Sequence, residues 1–498
     1  MNKKASYLYE RQFYPVSGQL RPDAKKQEFW TKNLGAEFFS RVCAHIPEVQ
    51  AYIQNRGYDV PGISDEVLPP KGMEENSQRN IRIIDEFIQT HQSAQFILFY
   101  RDYLRLGLDY DKTLQEALYR APKLCGSYLF SLLRKLENIC IRTLIYELHM
   151  CKSRGELKGE NCKEEYEFFC RRIISSEWRE KLEEKYPVLK RSTYEVIAGC
   201  GRLYLDALDR LETDREEIQM LLCGGQPFAH VENITGDIAD SHRGGQSVLK
   251  VHLDNGCTVI YKPHPIDNEE NFDKLADYVG KSCGIPMQGM PRICREDYGW
   301  ECCAKKKDSG SEAEVRRFYQ RMGVYIFIFY LLGTNDIHEE NVIACGEYPV
   351  IVDLENILGM PENTECSNMM ERMKLYLQTS VLYSGMLPAA KWRQDGKTIN
   401  VSGIGGGEKA RLPFKIPVIA GAGTSDIRIV YQYPELEPVQ NTPVYQGNPV
   451  SPEQYEQEIL DGFTKAYRFA MENSGRLEGQ LQSFRRAESR YCRATFYE

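Results

Sequence analysis

Long apolar runs are missing from this 498-residue chain. The longest uninterrupted run of large apolar residues covers the nine residues 324–332, whereas a membrane-spanning helix needs about 20 residues. The basic start at residues 1–6 leads into no apolar stretch of the kind that a secretion signal requires. The sequence therefore predicts no membrane span, and we expect a cytoplasmic location.

Closely paired cysteines and a surplus of basic residues are also missing. None of the 16 cysteines forms a Cys-x-x-Cys pair, which argues against a cysteine-rich zinc site. Without a secretion signal, scattered cysteines indicate free thiols in a reducing compartment. The net charge is −8, whereas nucleic-acid-binding proteins usually carry a basic balance or a basic face. We therefore expect no nucleic-acid partner.

The pattern of apolar residues changes near residue 223. Before that point apolar residues recur every three or four positions, which is typical of helices. This spacing predicts helical segments within residues 38–53, 81–103, 114–148, 164–184 and 193–222. The break at Gly224-Gly225 then opens a region with β-rich runs.

Two hairpins and three further helices are predicted in the second part of the chain. One hairpin turns at Asn255-Gly256 and ends near Lys262, because β-rich runs flank a turn of the favoured Asn-Gly type. The predicted helices lie at residues 268–280, 313–332 and 452–470, and the second hairpin lies at 341–353. The expected fold class is α+β, with a mainly helical region at 1–222, a small β-rich lobe at 223–332 and a catalytic lobe at 333–498.

The motif with the clearest chemistry is Asp336-x-His338-x-x-Asn341 followed by Asp353-x-Glu355. A hairpin between the two parts would bring Asn341 and Asp353 to adjacent strand ends. An amide oxygen and a carboxylate placed together suit Mg²⁺, which prefers hard oxygen ligands. Asp336 would lie on the loop where an attacking hydroxyl arrives. This order of residues is typical of phosphoryl transfer from ATP.

A lysine on a strand of a small lobe should complete such a site. Lys262 ends the first hairpin, and its ammonium could pair with ATP phosphates. Glu269 or Glu270, on the next predicted helix, could hold Lys262 by an ion pair.

A second cluster contains Asp240 and His242 in the Gly-rich segment 236–245. An Asp–His pair on an extended loop can serve as an acid–base couple. The alternative is a turn rich in Asp, Ser and Gly, and the residues alone leave both interpretations open.

At these residues the sequence resembles the dehydratase region of class II (LanM-type) lanthipeptide synthetases. The matching stretches follow in the same order: Arg142-Thr143-Leu144-x-x-Glu147-Leu148, Asp240-Ser241-His242-x-Gly244-Gly245-x-Ser247-Val248, Tyr261-Lys262-Pro263, Asp336-x-His338-x-x-Asn341, Tyr348-Pro349-Val350-x-x-Asp353-x-Glu355 and Gly423-Thr424. The resemblance implies a core similar to eukaryotic lipid kinases, with two lobes and added helices. It also implies a leader-bearing precursor peptide as substrate, with ATP and Mg²⁺ as cofactors.

The implied reaction has two steps, phosphorylation of Ser or Thr and elimination of the phosphate to give dehydroalanine or dehydrobutyrine. The resemblance assigns phosphorylation to five matching positions, namely Lys262, Asp336, His338, Asn341 and Asp353, with Glu355 beside them at the nucleotide site. It assigns elimination to four positions: Asp240, His242, Arg493 (with Arg490 as the alternative) and Thr495. The spacing between the first of these arginines and Thr495 is one residue shorter than the usual pattern.

Other interpretations remain open at this stage. The resemblance implies that ring formation requires a zinc-dependent cyclase, which we expect to be a separate LanC-like partner or a region that this chain lacks. The main alternative is a peptide or small-molecule kinase that does not eliminate phosphate. A pseudokinase that only binds a leader peptide, or a metal hydrolase using the two Asp-x-His motifs, would be non-kinase alternatives.

Overall fold

The computed structural model describes two compact units. The described residues are 78–236, 246–354, 356–359, 366, 368–388, 391–392, 398–405, 414–435 and 440–486, with only the backbone of 391, 392, 398, 399 and 486. Of these, residues 78–206, 246 and 419–428 form the first unit, and the others form the second. The predicted helix at residues 38–53 lies outside the described residues. Within them, no helix is both long enough and apolar enough to cross a membrane.

The first unit is built from helices. They are α1 (Gln78–Thr90), α2 (Arg101–Leu108), α3 (Lys112–Arg120), α4 (Pro122–Ser153), α5 (Cys162–Arg172), α6 (Ser176–Lys185) and α7 (Pro187–Thr213), and a 3₁₀ helix (Ile97–Tyr100) precedes α2. The boundary between the two units falls within α7. The helical segments predicted from apolar spacing within 81–103, 114–148, 164–184 and 193–222 are confirmed, although several of them are interrupted.

Capping residues and a proline explain the interruptions. Pro122 begins α4, and it pushes the preceding Ala121 into an extended conformation with φ −124° and ψ 90°. The side chain of Ser175 accepts a hydrogen bond from the backbone N–H of Trp178 and so caps α6. Apolar periodicity continues across both breaks, so it cannot reveal them.

A β-turn segment at residues 419–428 packs into the first unit. Lys152 at the end of α4 donates to Ser425 Oγ at 2.8 Å and lies 2.7 Å from Asp426 Oδ1. The backbone N–H of Ser425 donates to the carbonyl of Cys162 at 2.7 Å. These contacts fix the segment that contains Gly423-Thr424, one of the stretches that carries the family resemblance.

The second unit contains the main sheet and the remaining helices. The strands are β1 (Val231–Thr235), β2 (Leu249–Leu253), β3 (Thr258–Lys262), β4 (Arg292–Cys294), β5 (Gly299–Cys302), β6 (Val342–Cys345), β7 (Tyr348–Ile351), β8 (Lys391–Trp392), β9 (Thr398–Ile399), β10 (Ile416–Ala420), β11 (Arg428–Gln432), β12 (Val444–Tyr445) and β13 (Asn448–Pro449). The helices are α8 (Asp267–Ser282), α9 (Glu312–Leu332), α10 (Met369–Gln378), α11 (Glu456–Glu472) and α12 (Ser474–Leu481). Shorter helical turns lie at Arg215–Glu217, Ile218–Leu222, Glu339–Asn341, Val381–Ser384, Pro452–Tyr455 and Gln482–Arg486.

Both predicted hairpins and the three predicted helices of this part are confirmed. Strands β1 to β5 form one antiparallel sheet in the order β1-β2-β3-β5-β4. Strands β6 and β7 form a separate hairpin, in which Val342 pairs with Ile351 and Cys345 pairs with Tyr348. The fold is therefore a mixture of helices and small sheets, compatible with the α+β class.

Helix α9 is the centre of the hydrophobic core of the second unit. Most of its residues between Val315 and Leu332 are buried, and they share a core with α8, β6, β7 and α11. A Cβ at Gly323 would lie 2.1 Å from the carbonyl oxygen of Ile459, and a Cβ at Gly462 would lie 1.9 Å from that of Gln320. The two glycines therefore allow α9 and α11 to approach each other with their backbones in contact.

Asp214, just after α7, contacts one face of the main sheet within the second unit. Its side chain is 3% exposed and lies 2.8 Å from Arg295. Its second oxygen accepts from the Tyr298 hydroxyl at 2.8 Å and from the Trp300 indole N–H at 3.0 Å. The donors around this carboxylate would lose a charged acceptor if its negative charge were removed.

We expect the substitution Asp214→Asn to destabilise the second unit by about 2–4 kcal/mol, because buried donors and Arg295 would lose a charged acceptor. Urea unfolding followed by tryptophan fluorescence would measure the shift in midpoint. Glu217→Gln is the matched control, since Glu217 also pairs with Arg295 but is 44% exposed and should contribute less than about 1 kcal/mol. Equal shifts for both variants would show that Asp214 is not an anchor.

Candidate functional site

The buried lysine of the main sheet lies in a cluster of charges. Lys262, at the end of β3, has a side chain that is 8% exposed. Its Nζ lies 2.9 Å from Glu269 Oε1 and 3.0 Å from Glu301 Oε2. The predicted ion pair with Glu269 is confirmed, whereas Glu270 pairs with Lys274 on the surface.

Strand register explains why these side chains meet. Ile260 on β3 is opposite Glu301 on β5, and Glu301 is opposite Arg292 on β4. Opposed residues of an antiparallel pair share a face, as do alternate residues of one strand. Lys262, Glu301 and Arg292 therefore lie on the same face of the sheet.

Helix α8 covers this face and adds two carboxylates. Glu269 and Asp273 are one helical turn apart, so they project on the same side of α8. Asp273 pairs with Arg292, whose Nη1 also donates to the backbone carbonyl of Glu269 at 2.9 Å. The cluster thus joins β3, β4, β5 and α8 through two cations and three carboxylates.

The electrostatic balance of the cluster keeps its lysine charged. Burial on its own would lower the pKa of Lys262, but the facing carboxylates of Glu269 and Glu301 outweigh it and hold that pKa above the usual value. For Glu301, burial acts to raise the pKa, and the adjacent Lys262 and Arg292 lower it overall. The structure therefore presents a protonated, nearly immobile ammonium group at the end of β3.

The Asp336 loop, residues 333–341, begins where the core helix α9 ends. Gly333 terminates α9 with φ 61°, a left-handed conformation that favours glycine. A Cβ at this position would lie 2.3 Å from the carbonyl oxygen of Gly359. The chain then turns back, and the buried Ile337 donates its N–H to the carbonyl of Ser384 at 2.9 Å.

Asp336 and Asp353 both adopt left-handed backbone conformations, with φ values of 66° and 60°. Such conformations cost about 1–3 kcal/mol for a residue other than glycine, and they are frequent at functional sites. Both residues are exposed, so their carboxylates can meet a ligand. Asn356 Nδ2 donates weakly to Asp336 Oδ2 at 3.4 Å.

Asn341 lies between the two aspartates. Its Nδ2 lies 3.4 Å from the carbonyl oxygen of Asp336 and 3.5 Å from that of Asp353. Its own backbone carbonyl accepts from Val352 at 2.9 Å, which extends the β6–β7 ladder. The hairpin thus brings Asn341 and Asp353 together, and the amide nitrogen faces the two carbonyls, so the amide oxygen points away from them.

His338 lies on the same loop with its ring half-buried. Its Nδ1 accepts a hydrogen bond from the backbone N–H of Glu340 at 3.3 Å. With Nδ1 engaged as an acceptor, a neutral ring carries its proton on Nε2. This arrangement leaves the Nε2–H as a donor for a ligand beside Asp336.

Polar groups around the loop lack partners. Among the described residues, Thr334 Oγ1, Asn335 Oδ1 and Asn356 Oδ1 are buried without a hydrogen-bond partner. Buried polar groups are normally satisfied by protein, water or a ligand. The described residues contain no group of three or more His, Cys, Asp or Glu side chains that could hold a metal ion.

Not every predicted site residue can be placed. The structure brings Asp336, His338, Asn341 and Asp353 onto one loop and hairpin, and it places Lys262 in the charge cluster. The remaining predicted residues lie outside the described residues; they are Asp240, His242, Glu355, Arg490, Arg493 and Thr495.

Three polar residues near the site were missed by the sequence reasoning. Glu301 lies on β5, which pairs with β3 across a long stretch of chain, and Arg292 lies on β4, which reaches the lysine only through its pairing with β5. Asn356 follows the Asp353-x-Glu355 motif directly, and its position beside the motif was the only available signal.

Comparisons with known proteins show which family the chain resembles. A family model described as "Domain of unknown function (DUF4135)" matches residues 186–497. The lacticin 481/lactococcin biosynthesis protein LcnDR2 of Lactococcus lactis subsp. lactis is 24% identical over 392 residues, which cover 72% of this chain. The match spans 40% of the length of that relative.

We expect Gly333→Ala to destabilise the second unit by about 1–3 kcal/mol, because the left-handed conformation would be strained and the new Cβ would clash with Gly359. Thermal unfolding would measure the loss, and hydrogen exchange of residues 334–341 would locate it. Gly479→Ala is the control, since Gly479 lies in α12, where an added Cβ would meet no atom of the described residues within 4 Å. That change should stabilise the protein by up to about 1 kcal/mol. A Gly333→Ala variant that is also stabilised would contradict the role of Gly333 in ending α9.

Proposed function

Because this chain belongs to the DUF4135 family and resembles a lacticin 481 biosynthesis protein, we propose that it dehydrates Ser and Thr in a lanthipeptide precursor. The dehydration would proceed by ATP-dependent phosphorylation followed by elimination of phosphate. The resemblance to LanM-type synthetases that the motifs indicated is confirmed by these two matches. The arrangement of Asp336, Asn341 and Asp353 around one hairpin is the observation that carries the proposal.

Two parts of the second unit would correspond to the two lobes of a kinase. The antiparallel sheet that carries Lys262 would correspond to the small lobe of a lipid-kinase-like core. Helix α9 and the β6–β7 hairpin would supply the other lobe, with the Asp336 loop at its edge. In such kinases a strand lysine pairs with the ATP phosphates, and the opposite lobe provides the metal-binding and orienting residues.

Asn341 and Asp353 fit a magnesium ion. Their amide oxygen and carboxylate are hard oxygen donors, and Mg²⁺ commonly takes only one or two carboxylates and keeps several waters. The Asn341 amide nitrogen is engaged with backbone carbonyls, so its oxygen remains for a cation. When bound, Mg²⁺ would neutralise negative charge on the phosphate groups.

In the first step, Asp336 would orient the substrate hydroxyl and accept its proton. The hydroxyl oxygen forms a bond to the γ-phosphorus of ATP, and the bond from that phosphorus to the bridging oxygen breaks, which releases ADP. His338 could donate from Nε2 to a phosphate oxygen, and Lys262 would pair with the nucleotide phosphates. Phosphorylation is chemically required first, because phosphate is a far better leaving group than hydroxide.

In the second step, a base would remove the proton on the α-carbon of the phosphorylated residue. The carbon–carbon double bond forms as the bond between the β-carbon and oxygen breaks, and the electron pair leaves with the phosphate. The family resemblance assigns this step to Asp240, His242, Arg493 and Thr495. An arginine would stabilise the departing phosphate by charge-assisted hydrogen bonds. A cyclase activity would then add cysteine thiols to the dehydrated residues.

Mass spectrometry of a leader-bearing, Ser/Thr-rich precursor peptide incubated with ATP and Mg²⁺ tests both steps. The proposal expects transient gains of about 80 Da followed by net losses of about 18 Da per modified site. Stable gains of about 80 Da alone would favour the kinase without elimination. An unchanged peptide with an authentic leader would favour a leader-binding pseudokinase and would overturn the proposal.

Variants separate the two steps. Asp336→Asn should reduce phosphorylation by about 10²–10⁴-fold, the usual contribution of a general base. His242→Ala should instead let phosphopeptide accumulate, because elimination alone would be impaired. Asp308→Asn is a suitable control, since Asp308 is exposed and lies outside the proposed site. A His242 variant with an unaltered ratio of phosphorylated to dehydrated peptide would remove that residue from the elimination step.

A further inference from the structure

Lys262 has two carboxylate partners, whereas the corresponding lysine of protein kinases pairs with one glutamate on the following helix. Glu269 lies on the helix after the lysine strand, where such a partner is expected. Glu301 comes instead from β5, and its Oε2 lies 3.0 Å from the lysine Nζ. With a side chain that is 3% exposed, Glu301 is removed from water together with the lysine.

Glu301 is held more firmly than Glu269. Its other oxygen, Oε1, accepts from Arg292 Nε at 3.0 Å. Arg292 is in turn tied to α8 by its pair with Asp273 and by its hydrogen bond to the Glu269 carbonyl. Because Glu301 sits on a central strand between β3 and β4, its backbone is fixed on both sides.

We propose that Glu301, fixed by Arg292, is the positioning residue that keeps Lys262 charged and in place for nucleotide phosphates. This role rests on the proposed kinase function. The lysine ammonium has three N–H donors, and Glu269 and Glu301 face two of them. The third donor is left for a phosphate oxygen, so a nucleotide can bind without breaking either ion pair.

The charge of Lys262 depends on this second carboxylate. Burial disfavours the ammonium form, and the pKa stays high because Glu269 from α8 and Glu301 from β5 outweigh that effect. Arg292 from β4 and Asp273 from α8 are the remaining charged groups of the cluster. If Glu301 becomes neutral, the pKa of Lys262 falls. The positive charge is then lost at a lower pH than in the wild-type protein.

The test is the affinity for MgATP, measured by calorimetry on the full chain between about pH 7 and 9, a range below the ordinary lysine pKa. Wild type should bind with little dependence on pH. Glu301→Gln should weaken binding by about tenfold at pH 7, the loss expected for one charge-assisted hydrogen bond. It should weaken binding further towards pH 9, because the pKa of Lys262 would be lower than in the wild-type protein once one of its two carboxylate partners is neutral.

Two other variants complete the design. Asp277→Asn is the matched control, because Asp277 lies on α8 but pairs at 2.8 Å with the exposed Lys281. This variant should bind MgATP with the affinity and the pH profile of wild type. Arg292→Lys keeps the positive charge but loses the geometry that fixes Glu301. Arg292→Lys should lose less affinity than Glu301→Gln, and its loss should also grow towards pH 9, because a less firmly held Glu301 would raise the pKa of Lys262 less. This second variant keeps the test decisive if Glu301→Gln does not fold.

The outcomes distinguish this inference from the proposed function. Glu301→Gln with wild-type affinity at every pH would overturn the inference alone. An equal loss at every pH would also overturn it, because a merely structural residue would not shift the pH profile. A wild-type chain that does not bind MgATP would overturn the proposed function, and the role of Glu301 would fall with it.

Discussion

The pairing of a buried lysine is the constraint on which the second unit depends. An ammonium group taken out of water is costly unless charged partners surround it. Lys262 meets this condition only when β5 lies next to β3 and α8 covers the same face, since each supplies one carboxylate. Glu301 in turn needs Arg292, which brings in β4. One buried charge therefore specifies the register of three strands and the position of a helix.

A buried cluster of charges is not an efficient way to stabilise the folded protein. Replacing a buried ion pair by well-packed apolar residues is often neutral or stabilising, whereas removing one partner is strongly destabilising. The opposite face of the same sheet shows that apolar packing is available here, because Tyr261 and Trp300 pack with ring centroids 4.8 Å apart. That aromatic packing surrounds one buried carboxylate, Asp214, whereas the lysine face carries a cluster of five charged groups. Such a concentration of buried charge is more easily explained by a need for a fixed ammonium group than by a need for stability.

Local features of this fold were predictable from sequence, and long-range pairing was not. The Asn255-Gly256 turn, the apolar helix α9 and the β6–β7 hairpin each depend on residues that are close in the chain, so their patterns revealed them. The hairpin was enough to place Asn341 beside Asp353. Glu301 reaches Lys262 only because β5 pairs with β3 across the intervening α8. The alternation of Trp300 and Glu301 indicates two faces of a strand, but it does not indicate which strand lies next to it. The left-handed conformations of Asp336 and Asp353 could not be predicted from the sequence either, because aspartate occurs both in the left-handed region and in ordinary turns.

The lysine cluster and the Asp336 loop are joined by hydrophobic packing. Phe272, one turn beyond Glu269 on α8, stacks on Tyr325 and Phe329 of α9 with ring centroids 5.6 and 5.2 Å apart. One turn later α9 ends at Gly333, and the loop begins. Close-packed aromatic rings resist sliding, because a shift creates voids or overlaps that each cost free energy. The polar contacts therefore set the orientation of the groups at each end, and the packing between α8 and α9 sets the distance between them. Substitutions at Phe272 or Phe329 would alter that distance without touching any polar group of the proposed site.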